Sequence, residues 1–113
     1  YRNTPTERVT SSGAVIRFDS QKEARRYDHL ILRQQAGEIR DLRLQVDFTL
    51  QEAYTDQKGR RIRAIRYRAD FTYKERDGRL VVEDVKCRPT RTREYLIKRK
   101  LMKEQRGIDI TEA

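Results

Sequence analysis

Asp70, Asp84 and Lys86 are the residues whose types and spacing could do chemistry together. Asp70 stands at the centre of an apolar stretch, Tyr67-Arg68-Ala69-Asp70-Phe71-Thr72-Tyr73. Asp84 and Lys86 close the next one, Arg79-Leu80-Val81-Val82-Glu83-Asp84-Val85-Lys86. Both stretches read as strands, and a short turn, Glu75-Arg76-Asp77-Gly78, joins them. Side chains two apart on a strand share a face. Asp84 and Lys86 therefore point the same way, and a neighbouring strand can bring Asp70 beside them. Two carboxylates can hold Mg²⁺, which takes oxygen ligands and keeps several waters. Such a metal lowers the pKa of a bound water and polarises a phosphate. A lysine next to it can orient or deprotonate that water, or offset charge developing on the phosphate. The competing reading is a plain surface ion pair between Asp84 and Lys86. Glu83 competes with Asp84 for the second ligand position. Alternation sets Glu83 on the other face from Lys86, which favours Asp84, and a bulge would reverse the choice.

Several elements must position these groups. Tyr1–Gly13 is polar and reads as a flexible arm, with a single domain from 14 to 113. Ala14–Phe18 reads as an edge strand. Ser20 followed by Glu23 has the form of a capping box, so a helix starts there and stops near Gly37. Its apolar stripe is Ala24, Tyr27, Leu30 and Ile31. Glu23 has two open readings: partner of the cap, or an acid at the margin of the stripe that faces the sheet. Leu42, Leu44, Val46, Phe48 and Leu50 alternate with polar residues, the pattern of a half-buried strand. In the following strand Ile65, Tyr67, Ala69, Phe71 and Tyr73 share one face, which puts Asp70 on the side of Arg66 and Arg68. Pro89 ends the Asp84 strand. A second helix starts between Thr90 and Thr92, ends before Gly107 and carries Tyr95, Ile97, Leu101 and Met102 inward. Ile108-Asp109-Ile110 reads as a last strand. Tyr54, Tyr67, Tyr73 and Tyr95 read as core residues.

The chain has 113 residues, enough for one modest core, and a net charge of +9, which suggests a polyanionic partner, most often nucleic acid, with a plain soluble basic surface as the alternative. No run approaches the ~18 apolar residues of a spanning helix. Cys87 is the one cysteine, which excludes an internal disulfide and a cysteine-built zinc site. Basic residues crowd at Arg60, Arg61, Arg63, Arg66 and Arg68 and again from Lys86 to Arg106. Such clusters contact phosphates without reading sequence.

The order helix-glutamate, strand-Asp, strand-Asp-x-Lys, helix resembles the PD-(D/E)XK, or restriction-endonuclease-like, nucleases. More closely, the chain resembles a family of small basic phage and prophage proteins, a domain of unknown function grouped with those nucleases. The matching stretches are Phe18-Asp19-Ser20 through Glu23-Ala24 and Tyr27, Gly37-Glu38-Ile39 with Leu42 and Gln45, and Tyr67 to Phe71. They continue through Val82 to Lys86, Thr92 to Leu101, and Ile108 with Ile110. The resemblance implies an α/β (α+β) fold with a restriction-endonuclease-like core: a mixed sheet flanked by helices, in the order α-β-β-β-α-β. It implies Asp70, Asp84 and Val85 at a Mg²⁺ ion, with Mn²⁺ able to substitute, Lys86 as catalytic lysine, and Glu23 as an accessory acid as in Holliday-junction resolvases. The family usually has glycine where Cys87 stands. The expected activity is metal-dependent DNA cleavage, selective for branched DNA, by a cytoplasmic homodimer in phage recombination or replication. Arg66, Arg68, Arg91, Arg93, Lys98 and Lys100 are expected to contact DNA. A nicking endonuclease and a catalytically silent DNA-binding protein of the same fold are the alternatives.

Overall fold

The computed structural model describes residues 5–85 and 92–113. Its elements are β1 (Thr6–Val9), β2 (Val15–Phe18), α1 (Gln21–Gln35), β3 (Ile39–Gln51), β4 (Tyr54–Thr55), β5 (Arg61–Ile62), β6 (Ile65–Glu75), β7 (Leu80–Asp84), α2 (Arg93–Arg106) and β8 (Thr111–Glu112). The protein is thus mixed α/β, with a four-stranded sheet in the order β3-β6-β7-β8. β3, β6 and β7 are antiparallel neighbours, whereas β8 returns parallel to β7. A parallel return needs a long crossover, and α2 lies within it.

Both helices start and stop where local chemistry dictates. The Ser20 hydroxyl accepts the backbone N–H of Glu23 at 3.2 Å, satisfying an orphan donor of the first turn. At the other end Gly37 takes φ 76, and Glu38 N–H bonds back to the Arg33 carbonyl at 2.9 Å. A left-handed glycine closing the last turn in this way is the common helix stop. α2 repeats the scheme, with Thr92 accepting from Tyr95 N–H at 3.1 Å and Gly107 at φ 67.

Two cores form. Phe18, Ala24, Tyr27, Leu30, Ile39, Phe71, Tyr73 and Val81 pack together beside α1. Leu50, Tyr67, Ala69, Val82, Tyr95, Met102 and Ile110 pack together beside α2. Val81 and Val82 are adjacent on β7 and belong to different cores, so the cores cover opposite faces there. The alternating set of β3 divides between them: Leu42 and Leu44 join the first core, Phe48 the second. The paired strand divides at the same level, since Leu44 faces Phe71 and Phe48 faces Tyr67. Between these levels Gln45 adopts φ 52, a left-handed conformation uncommon for a non-glycine residue. One such residue breaks the strict alternation and lets a continuous strand serve both cores.

Several sequence expectations change. The stretch read as a loose arm contains β1, which pairs with β2 from Thr6↔Phe18 to Val9↔Val15. Arg8 further ties it to α1 through Asp28 at 2.9 Å. Ile97 faces outward, 52% exposed, and Leu96 packs inward instead. The last strand is Thr111–Glu112 rather than 108–110, and Ile110 is a buried core residue before it. Tyr54 lies on an additional hairpin and is 47% exposed, unlike the buried Tyr67, Tyr73 and Tyr95. Lys86, Cys87 and Arg91 lie outside the described residues.

Candidate functional site

Three of the sequence-predicted acids converge where the two cores meet. β6 and β7 are in register from Lys74↔Leu80 to Phe71↔Glu83 with no shift. The next step of that ladder brings Asp70 opposite Asp84, close enough for the Asp84 carboxyl to push the Asp70 one up. Asp84 is almost fully buried, and the Tyr67 hydroxyl donates to its Oδ2 at 2.8 Å. Asp70 accepts the Val85 backbone N–H at 2.8 Å. Val85 thus touches Asp70 as a hydrogen-bond donor. The Asp70 carboxyl is half-buried against Val85 and Gln45 rather than standing on an open face among arginines, as alternation alone suggested.

Glu23 comes from α1. Its backbone serves the Ser20 cap, and its side chain, buried to 9% exposure, turns to the sheet. There the Gln45 side-chain amide donates to Glu23 Oε1 at 3.0 Å and, more weakly, to Asp70 Oδ1 at 3.5 Å. Both readings of Glu23 thus hold at once, one for its backbone and one for its carboxylate. Gln45 is the residue that sequence reasoning left without a role. Its register against Asp70 depends on the bulge between Arg40 and Arg43, which the alternation pattern does not reveal.

The electrostatics follow from this crowding. Burial pushes the Asp70 carboxyl up to about 8, and the adjacent Asp84 and then Glu23 act in the same direction. Burial and the Asp84 charge likewise push the Tyr67 hydroxyl far above its ordinary value, so it stays a proton donor. Among the described residues no lysine or arginine pairs with Asp70. Desolvation and a neighbouring carboxyl both favour the protonated form of Asp70. A hard divalent cation would replace that proton, and oxygen donors are the ligands it takes. Among the described residues no group of three or more histidine, cysteine, aspartate or glutamate side chains encloses a metal position. Two carboxylates suffice for Mg²⁺, which completes its shell with water and substrate phosphates. The donors therefore fit an open site of that kind and do not fit a closed structural one.

Glu83 is excluded from the pair. β7 carries no bulge, so Glu83 faces the α1 side, opposite Phe71. It is fully buried, and Arg26 of α1 grips Oε1 with Nη2 at 2.6 Å and Nε at 2.8 Å. The sequence-predicted cations are spread more widely. Arg66 and Arg68 are exposed, with Arg68 bonded to Asp47 at 2.9 Å. On α2 Arg93 and Lys100 are exposed, and Lys98 pairs with Glu94 at 3.1 Å. Exposed pairs of this sort contribute at most ~1 kcal/mol, so Arg68 and Lys98 can exchange them for phosphates.

Fold and site together define a mixed α/β protein that has, among the described residues, two helices, a mixed sheet and a facing pair of aspartates on its interior strands. The family model described as "Protein of unknown function (DUF1064)" matches residues 5–111, and the chain belongs to that family. No curated protein and no solved structure matches it. Among the described residues no helix is long and apolar enough to cross a membrane.

Proposed function

We propose that this chain is a metal-dependent DNA endonuclease that hydrolyses phosphodiester bonds, with branched DNA such as a four-way junction as its substrate. The observation that carries the reading is the placement of Asp70 opposite Asp84 on neighbouring strands, with Glu23 held beside them by Gln45. The mixed α/β order α1, β3, β6, β7, α2, with the acids on α1, β6 and β7, supports the reading. A net charge of +9 supplies the attraction for a polyanion.

In this reading Asp70 and Asp84, with Val85, hold Mg²⁺ or Mn²⁺. When bound, the cation acidifies a water and offsets charge on the phosphate. The chain's own residues do the rest. Tyr67 fixes one Asp84 oxygen by donating its hydroxyl proton. Gln45 holds Glu23 where it can orient the attacking water. Lys86, two residues after Asp84 in the sequence, is proposed to take up its proton or to meet the developing charge. Arg66, Arg93 and Lys100 are proposed to position phosphates. Symmetric cutting of a junction calls for a homodimer, and the proposed setting is phage recombination or replication in a bacterial cytoplasm.

Plasmid, linear duplex and four-way junction, incubated side by side with Mg²⁺, test this reading. Junction cleavage well above the other two is expected. Nicked plasmid with no junction preference would make the protein a nicking enzyme instead. Tight binding to all three without Mg²⁺-dependent cleavage would make it a silent DNA-binding protein.

Glu23→Gln separates the accessory acid from the cap. The Ser20 bond uses the Glu23 backbone N–H, so the melting temperature is expected to shift by no more than ~1 kcal/mol allows. The cleavage rate is expected to fall roughly 10- to 100-fold, as for other residues that orient a metal site's partners. A full-rate enzyme with a lowered melting temperature would return Glu23 to the cap alone.

A further inference from the structure

The β4–β5 hairpin interrupts the sheet between β3 and β6 and leaves its plane as a separate two-stranded ribbon. Tyr54 pairs with Ile62 and Thr55 with Arg61. Beyond this mutual pairing, β4 and β5 make at most marginal contact with the other elements. The ribbon adds little to either core, yet its tip is held rigidly. The Asp56 side chain accepts the backbone N–H of Lys58 at 2.9 Å and of Arg60 at 2.8 Å, and grips the Arg60 guanidinium at 2.8 Å. These bonds hold the Asp56 carboxyl below its usual range, the Arg60 amide first among them. Gly59 at φ 79 supplies the left-handed step of the turn. With Asp56 committed to the tip, Lys58, Arg61 and Arg63 are exposed and carry no ion pair among the described residues. A stiff, basic ribbon with no packing duty is matched in charge to a phosphate backbone, and its rigidity removes an ordering cost on binding.

We propose that the finger 54–63 is a clamp for the duplex arm that flanks the cleaved bond, with Lys58, Arg61 and Arg63 on its phosphates. This rests on the DNA reading of the Asp70–Asp84 site. Strand geometry sets the reach. A rise of about 3.4 Å per residue along β6 separates the finger's root at Ile65 from Asp70 by roughly 17 Å. At about 3.4 Å per base pair, that is roughly five pairs from the cut before the finger begins to touch. The finger thus sets how much duplex one side of the substrate must offer.

The test uses the full chain without metal, so that binding is read apart from cleavage. Wild type, Lys58→Ala/Arg61→Ala/Arg63→Ala and Arg93→Ala/Lys100→Ala are titrated with a thirty-pair duplex across a range of salt. The substituted side chains are exposed, and unchanged melting temperatures confirm intact folds. The finger variant is expected to lose affinity on the order of 10- to 100-fold, and its salt slope to fall by about three units. Wild-type affinity and slope in the finger variant, with loss only in the α2 variant, would overturn the clamp and leave the DNA reading intact. A change in sedimentation with unaltered DNA affinity would overturn it too, in favour of self-association. Failure of the wild type to bind would remove the DNA reading and the clamp with it.

Discussion

Asp70→Asn and Asp84→Asn proteins are expected to bind DNA and not to cut it. Each substitution removes one unit of negative charge from the pair that would hold the cation. Metal-ion stabilisation is worth several kcal/mol of barrier, so the cleavage rate should fall by about 10³-fold or more. Binding should stay level or tighten, because carboxylates repel phosphate until a cation neutralises them. The fold should persist. An asparagine at 84 keeps an oxygen for the Tyr67 hydroxyl, and one at 70 keeps an oxygen for Val85 N–H. At pH 8 and above the amide at 70 should even raise the melting temperature of the metal-free protein, since it spares a buried carboxyl its ionisation. Rate, affinity and melting temperature measured together check the set. Residual cleavage near the wild-type rate in either variant would show that the acids are not the site.

The second large effect concerns stability. Arg26→Ala leaves Glu83 fully buried with its cation gone. Breaking a buried pair from one side costs roughly 3–5 kcal/mol, because an unmatched charge remains in the interior. For a domain of this size that is a fall in melting temperature of more than about 10 °C. Removing both charges is different. Arg26→Met together with Glu83→Leu leaves neither charge stranded, and most of the loss should be recovered. Among the described residues Glu83 Oε2 has no hydrogen-bond partner, which makes the apolar replacement milder still. Equal melting temperatures for wild type and Arg26→Ala, compared by calorimetry, would contradict this role for the pair.

Much of this arrangement was legible in the residues. Alternation marked β3, β6 and β7, and the Ser20 cap and Gly37 bounded α1, because each is a local effect of backbone and side-chain chemistry. Asp-x-Lys at a strand end, after an acid on the previous strand, pointed to the facing pair. What stayed hidden depends on contacts far apart in sequence. The left-handed Gln45 splits one alternating pattern between two cores, and nothing in the run Leu42 to Leu50 announces it. Tyr67 looked like any core tyrosine until the β6–β7 register set its hydroxyl against Asp84. Ile97 sits at helical spacing from Leu101 and still faces outward, because Tyr95 and Met102 fix the phase of α2. The stretch 6–9 is polar and mixed, and it becomes a strand through β2 and the Arg8–Asp28 bond.

That Asp70 and Asp84 hold a divalent cation is tested most directly by thermal melting of metal-free protein against pH, with and without Mg²⁺. An acid whose folded pKa is raised binds its proton more tightly in the fold. The stability this gives is fully present below the ordinary carboxylate range and is lost as pH rises toward about 8. Without metal the wild type should therefore melt lower at pH 8.5 than at pH 6. Mg²⁺ at about a hundred times its dissociation constant should restore roughly 2.7 kcal/mol at pH 8.5. Asp70→Asn/Asp84→Asn should show neither the metal shift nor this part of the pH dependence. An equal Mg²⁺ shift in wild type and double variant, or none in either, would contradict the site.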